Sequence, residues 1–186
     1  MAELYTSSPT ADLPAIAGAG VTVVEAPMRG KLLLRLDAAA RGKAAATLGF
    51  PIPTAPLTST LADQAACLWL GPDEWLLLCP ADLAEPAAEA LGEALQGTHH
   101  AVVDVSHRLV TLRLGGPAAA EALAAGCPLD LHLSVFPPGS VARSLLGKVG
   151  ITLHRLDANR FELHVDRSFA EYVWLFLAQA AQEPNG

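Results

Sequence analysis

Positive charge is scarce in this chain. Lys31, Lys43 and Lys148 are the only lysines, and Lys+Arg 12 against Asp+Glu 19 leaves a formal charge of −7. No basic stripe exists to hold phosphates, so nucleic acid and an anionic membrane surface are excluded as partners. Charge of either sign is sparse, at 17% of residues against about 25% in an average domain. Cysteine is limited to Cys67, Cys79 and Cys127. An odd number without Cys-x-x-Cys spacing excludes a disulfide framework and points to structural thiols in a reducing, cytoplasmic compartment. No apolar run reaches the roughly 20 residues that span a bilayer. Residues 1–20 carry Glu3 and Asp12 among Ser, Thr, Pro, Ala and Gly, with neither a basic start nor a continuous apolar stretch. They read as an arm, with Leu4, Leu13 and Ile16 available to tie it down, and not as a signal peptide.

What is abundant is apolar surface, 52% of 186 residues. That length supports one sizeable core or two small, intimately packed lobes. Two explanations of the apolar excess stay open: an Ala- and Leu-rich composition, or a surface buried against other subunits.

The stretch from His99 to Leu131 organises the reading. Ala101 to Val105 and Leu109 to Leu114 alternate as strands, Gly115-Gly116-Pro117 breaks the second, Ala118 to Ala125 is helical, and Gly126 with Pro128 stops the helix. The same unit occurs earlier, where Leu34-Arg35-Leu36 leads through an Ala-rich helix, about Ala38 to Leu48, to Gly49 and Pro51. The offset is 78 residues from Leu34 to Leu112 and 77 from Pro51 to Pro128. Each unit is followed by a hairpin and a helix. We therefore expect an α+β fold of two pseudo-symmetric sheet-and-helix lobes sharing one core: an arm at 1–20, then a single domain at 21–182 with pseudo-repeats at about 21–97 and 99–182. Gly49 and Gly126 are both expected in left-handed geometry just past a helix. Val21 to Ala26 and Lys31 to Leu36 read as a hairpin, and the proline-bearing passage from Pro51 to Thr60 as an extended crossover.

Candidate chemistry is weak. Asp104, Ser106 and His107 hold the residue types of a hydrolase triad, but adjacent strand side chains diverge and no Gly-x-Ser-x-Gly elbow is present. Asp73 and Glu74 sit on a turn, where adjacent acids are ordinarily solvated and unsuited to acid/base work. His99-His100 are adjacent, and His154 and His164 fall on neighbouring strands, without cysteine spacing to complete a zinc site. No Walker or Gly-x-Gly-x-x-Gly sequence occurs. Trp69, Trp75 and Trp174 suit core or interface anchoring better than a flavin cage. No catalytic, cofactor-binding or metal-binding residue is assigned.

Asp104-Val105-Ser106-His107 and the Gly116-Pro117-Ala118 helix entry resemble the folate-binding domain of aminomethyltransferases of the glycine cleavage system. Further segments are Gly30-Lys31-Leu32, Trp69 to Leu77, Gly126 to His132, Phe136 to Gly139, Leu146-Gly147-Lys148 and Arg167 to Tyr172. With these the chain resembles the gamma subunits of heterotetrameric sarcosine oxidases, in order from about residue 20 to 181, with Ser8-Pro9 a further match in the arm. Leu133-Ser134 departs from the family pattern, where a proline and a basic residue are expected. The resemblance implies a non-catalytic subunit taking part in oxidative demethylation of sarcosine to glycine, with hydrogen peroxide formed and the one-carbon unit passed to tetrahydrofolate. It implies alpha, beta and delta subunits as partners, alpha as the direct contact, and FAD, FMN, NAD and zinc on those subunits with none on this chain. The corresponding subunit of a related complex, such as N-methylglutamate dehydrogenase, and a freestanding folate-binding module remain alternatives.

The closing helix gives a partner surface. Ser168 to Glu171 has the capping-box form. At about 100° per residue, Phe169, Tyr172, Val173, Phe176, Leu177 and Ala180 share the face toward the sheet. Trp174 and Leu175 fall outside it and are the expected docking residues; the alternative is that the Pro51 to Thr60 crossover or the N-terminal arm covers them within the chain.

Overall fold

The computed structural model describes residues 8–18 and 20–182; Leu4 of the arm lies outside them. The chain forms two units, Met28–Ser106 and, on either side of it in sequence, Met1–Pro27 with His107–Gly186.

In the discontinuous unit, strands β1 (Ile16–Gly18) and β2 (Val21–Glu25) join β8 (Leu109–Gly115), β9 (Val141–Leu146), β10 (Val149–Arg155) and β11 (Arg160–Asp166). The antiparallel sheet has the order β1-β2-β8-β11-β10-β9. Strand alternation sends Leu112, Leu114, Ile151, Leu153, Phe161, Leu163 and Val165 to one face. There they are buried with Leu123 of helix α3 (Ala119–Ala124) and Val173 and Leu177 of α4 (Ala170–Ala180).

The continuous unit contains β3 (Gly30–Leu36), β4 (Ser59–Leu61), β5 (Ala66–Gly71), β6 (Glu74–Cys79) and β7 (His100–Asp104), ordered β4-β5-β6-β3-β7. Helices α1 (Ala38–Leu48) and α2 (Ala84–Ala94) supply Ala40, Ala44 and Leu91 to a core with Leu32, Leu34, Trp75 and Leu77. Asp37 caps α1 by accepting from the Ala40 amide N–H at 2.7 Å. Ile52 and Pro53 of the crossover are buried, and the Trp75 indole donates to the Pro53 carbonyl at 2.8 Å.

The two sheets share one plan, since β4-β5-β6-β3 and β9-β10-β11-β8 follow the same order. Two expectations are corrected. First, Val21 to Ala26 does not form a hairpin with Lys31 to Leu36: β2 pairs with β8, whereas β3 pairs with β6 and β7. The strand at Ala101 to Val105 lies against β3. Alternation identifies a strand and its apolar face, but not its neighbour. Each unit has a cluster of buried apolar residues of its own.

Secondly, Gly49 is left-handed (φ 75°), its N–H bonding the Ala45 carbonyl, but Gly126 is not among the glycines of positive φ. Gly126 is required for space instead. A Cβ there would run into the Phe176 ring, with Cε1 at 2.8 Å and the Gly147 nitrogen at 3.0 Å.

Candidate interaction surface

The packing of α4 sets which side chains face outward. Arg167–Phe169 forms a 3-10 turn, and the helix begins without a side-chain cap, so the capping box expected at Ser168 is not made. The buried face of the helix carries Ala170, Val173, Trp174 and Leu177, continued by Ala181. That stripe is turned by about one residue from the expected one. Phe169, Tyr172 and Leu175 remain 48%, 41% and 50% exposed. Spaced three apart, they lie along one side of the helix.

Of the two docking candidates, Trp174 is corrected. Only 5% exposed, it donates its indole N–H to the Pro14 carbonyl at 3.1 Å, so the arm covers it within the chain. Tryptophan is amphipathic, and a single carbonyl together with the apolar wall of Ile16 satisfies both its ends. Leu175 stays at the surface, on the rim of a recess of about 330 Å³ bounded by Pro14, Ile16, Trp174 and Ala178. The spacing of Phe169 and Tyr172 was legible, but their outward direction was not, because the burial of Trp174 against the arm sets the helix phase.

Elsewhere the chemistry-bearing side chains hold the protein's own backbone. The Asp104 carboxylate accepts from the Ser106 amide N–H (2.8 Å), and the Ser106 hydroxyl accepts from the Lys31 amide N–H (2.8 Å). His107 is exposed. The turn acids are not both solvated, as the sequence suggested. Glu74 is 6% exposed, and the Arg35 guanidinium spans Asp73 (3.0 Å) and Glu74 (3.1 Å). The cause is register: Arg35 and Glu74 are cross-strand partners, which draws Glu74 into the sheet.

Behind the core face of the six-stranded sheet runs a polar row. Arg113, Glu162 and His154 are aligned across β8, β11 and β10. Arg113 Nε donates to Glu162 Oε1 at 2.8 Å, and Thr111 Oγ1 lies 2.9 Å from His164 Nδ1. Both histidines are buried. Among the described residues no group of three or more His, Cys, Asp and Glu is placed to hold a metal ion. All three cysteines are free and buried, and burial pushes the Cys67 thiol up to about 12, far from the thiolate form that would make it a nucleophile.

Arg155 was missed by sequence reasoning. At 2% exposure it donates to four carbonyls, those of Leu131 (2.7 Å), Phe136 (2.7 Å), Asp157 (3.1 Å) and Ala158 (2.8 Å), and lies 4.6 Å over the Phe161 ring. Burial lowers its pKa, and Asp157 partly restores it. Its position just before the Asp157-Ala158-Asn159 turn was the one available signal. The result is a pinned surface loop at 131–136, on which Leu133 and Val135 are 46% and 60% exposed.

Comparison with solved structures first gives the class. Glycine cleavage system aminomethyltransferase T from Bartonella henselae superposes with a TM-score of 0.64 at 18% identity, over 86% of this chain and 46% of that one. This likeness is of fold alone, and it makes the chain an α+β protein with aminomethyltransferase-like architecture. The sarcosine oxidase, gamma subunit family model matches residues 35–183, and the chain belongs to that family. Sarcosine oxidase subunit gamma of Corynebacterium sp. (strain P-1) is 35% identical over 66% of this chain and 61% of its own length. The Arthrobacter sp. subunit is 33% identical over 66% and 59%. The match thus spans about three fifths of those two relatives. Subunit gamma of Corynebacterium sp. (strain U-96) is 31% identical over 88% of this chain and 80% of its own. A chain of the heterotetrameric sarcosine oxidase from Corynebacterium sp. U-96, in complex with pyrrole 2-carboxylate, superposes with a TM-score of 0.87. Identity is 28%, and coverage is 97% of this chain and 98% of that one.

Proposed function

We propose that this chain is the non-catalytic gamma subunit of a heterotetrameric sarcosine oxidase. In such an assembly sarcosine is oxidatively demethylated to glycine, hydrogen peroxide is formed, and the one-carbon unit passes to tetrahydrofolate. FAD, FMN, NAD and zinc reside on the other subunits, in a reducing cytoplasmic setting. The observation that carries the reading is fold correspondence along nearly the whole chain with a subunit of such an enzyme. It is supported by side chains committed to the chain's own backbone and by an outward apolar line at Phe169, Tyr172 and Leu175. The alpha subunit is the proposed direct partner of that line. Phe169 and Leu175 are 48% and 50% exposed, so leaving them there forgoes on the order of 1 kcal/mol for each.

The test is purification from the native host through a tag on this chain. A yellow complex that consumes oxygen with sarcosine, and that Leu175→Glu weakens without altering the fold, is expected. Turnover of N-methylglutamate in place of sarcosine would overturn the substrate. A colourless chain recovered alone that binds folate at micromolar concentration in a calorimetric titration would overturn the subunit reading in favour of a folate-binding module.

A further inference from the structure

A second surface lies on α2, in the Met28–Ser106 unit. The buried face of this helix carries Ala84 and Leu91. A second face carries Asp82, from the 3-10 turn before the helix, and Glu85, Glu89 and Glu93, all exposed. Steps of three, four and four residues place these acids in one line. Neither the helix nor the turn contains a basic residue. Among the described residues none of the four acids takes part in an ion pair. Unrelieved like charge along a helix is unfavourable, and an opposing cation relieves it.

The third face borders an open groove of about 500 Å³. Leu83, Pro86 and Ala87 line one side, Leu48 at the end of α1 and Phe50 just beyond it line another, and the buried Leu77 also borders it. Leu83 is 48% exposed. At about 100° per residue the acid line is about a quarter turn from the groove wall, so it borders the mouth of the groove. Asp63 adds a carboxylate on the far side, where Arg29 is held by the Gln64 carbonyl at 3.0 Å.

We propose that this groove is a docking site for a segment of another subunit bearing apolar side chains flanked by Arg or Lys. The apolar side chains seat against Leu83, Pro86 and Phe50, and the cations lie along Glu85, Glu89 and Glu93. Sign selects this occupant. A second copy of the chain would bring an identical acid line and a net charge of −7 to the same place, and like charges facing one another disfavour that pairing. The proposal rests on the subunit reading and names a contact distinct from the closing helix.

The experiment uses the complex purified from the native host, with two variants at exposed positions. Glu89→Lys/Glu93→Lys reverses the line while leaving the acidic first turn of the helix intact, and Ala90→Trp fills the groove. Each should raise the dissociation constant for this chain by on the order of tenfold. The charge variant should also lose the salt sensitivity of wild-type assembly, with circular dichroism unchanged; Glu89→Gln/Glu93→Gln replaces it if the reversal disturbs folding. Folded variants that assemble with wild-type affinity and salt dependence would overturn the groove proposal alone. A wild-type chain that recovers no other subunit would overturn the reading beneath it. A homodimer of this chain that Ala90→Trp dissociates would replace the proposed occupant with a second copy.

Discussion

At the scale of single residues, Gly49 and Gly126 show one residue type meeting different demands. Gly49 must hold φ 75°, with open space around its missing Cβ, whereas Gly126 has ordinary backbone geometry and no space. Replacement of either by alanine should destabilise, by roughly 1–2 kcal/mol for the left-handed site and about 1–3 kcal/mol for the crowded one. Only the second should be rescued by shrinking its neighbour. In urea titrations Phe176→Leu should recover part of the loss in Gly126→Ala and none in Gly49→Ala; equal behaviour of the two pairs would refute the distinction. Arg155 makes a sharper demand. Its removal strands buried carbonyls, so Arg155→Met should cost about 2–4 kcal/mol and expose 131–136 to proteolysis. Lysine should not rescue it, because an ammonium cannot span the four acceptors.

Elements add properties that no single residue carries. The Ala40 amide N–H holds the Asp37 carboxyl below the usual carboxylate range; burial opposes it, and the His99 and Ala39 amides add to the lowering. A carboxyl whose folded pKa lies below its unfolded one adds stability that is complete above the unfolded value and is lost as pH falls through the folded one. The cap on α1 should therefore weaken below the ordinary aspartate range. Asp37→Asn keeps the cap without the charge, so its melting temperature should fall less steeply on acidification than the wild type's; superimposable acid limbs would rule this out. On α4, the indole of Trp174 ties the helix to the arm. Trp174→Ala should cost roughly 3–5 kcal/mol and make the arm protease-sensitive, while Leu175→Glu should stay within about 0.5 kcal/mol of wild type in the isolated chain. Equal costs in a denaturant series would contradict the assignment of one as buried and the other as exposed.

At the scale of the whole molecule, the sequence by itself determined element type and order. The hairpins at Cys67 to Cys79 and Val149 to Val165, the Asp157 turn, the stop at Gly49 and the duplication of one strand-and-helix plan all follow from local alternation, turn chemistry and helix propensity, which a chain carries wherever it folds. Tertiary structure alone decided the partnership of strands. The exchange that sends Val21–Glu25 to β8 and His100–Asp104 to β3 leaves every side chain's alternation unchanged, so no period in the sequence records it. Tertiary structure also set the phase of the closing helix, burying Trp174 and leaving Leu175 outside. It drew Glu74 to Arg35 and closed the backbone around Arg155. In each case the deciding contact joins residues far apart in sequence, and its free energy depends on distances that the order of residues does not fix.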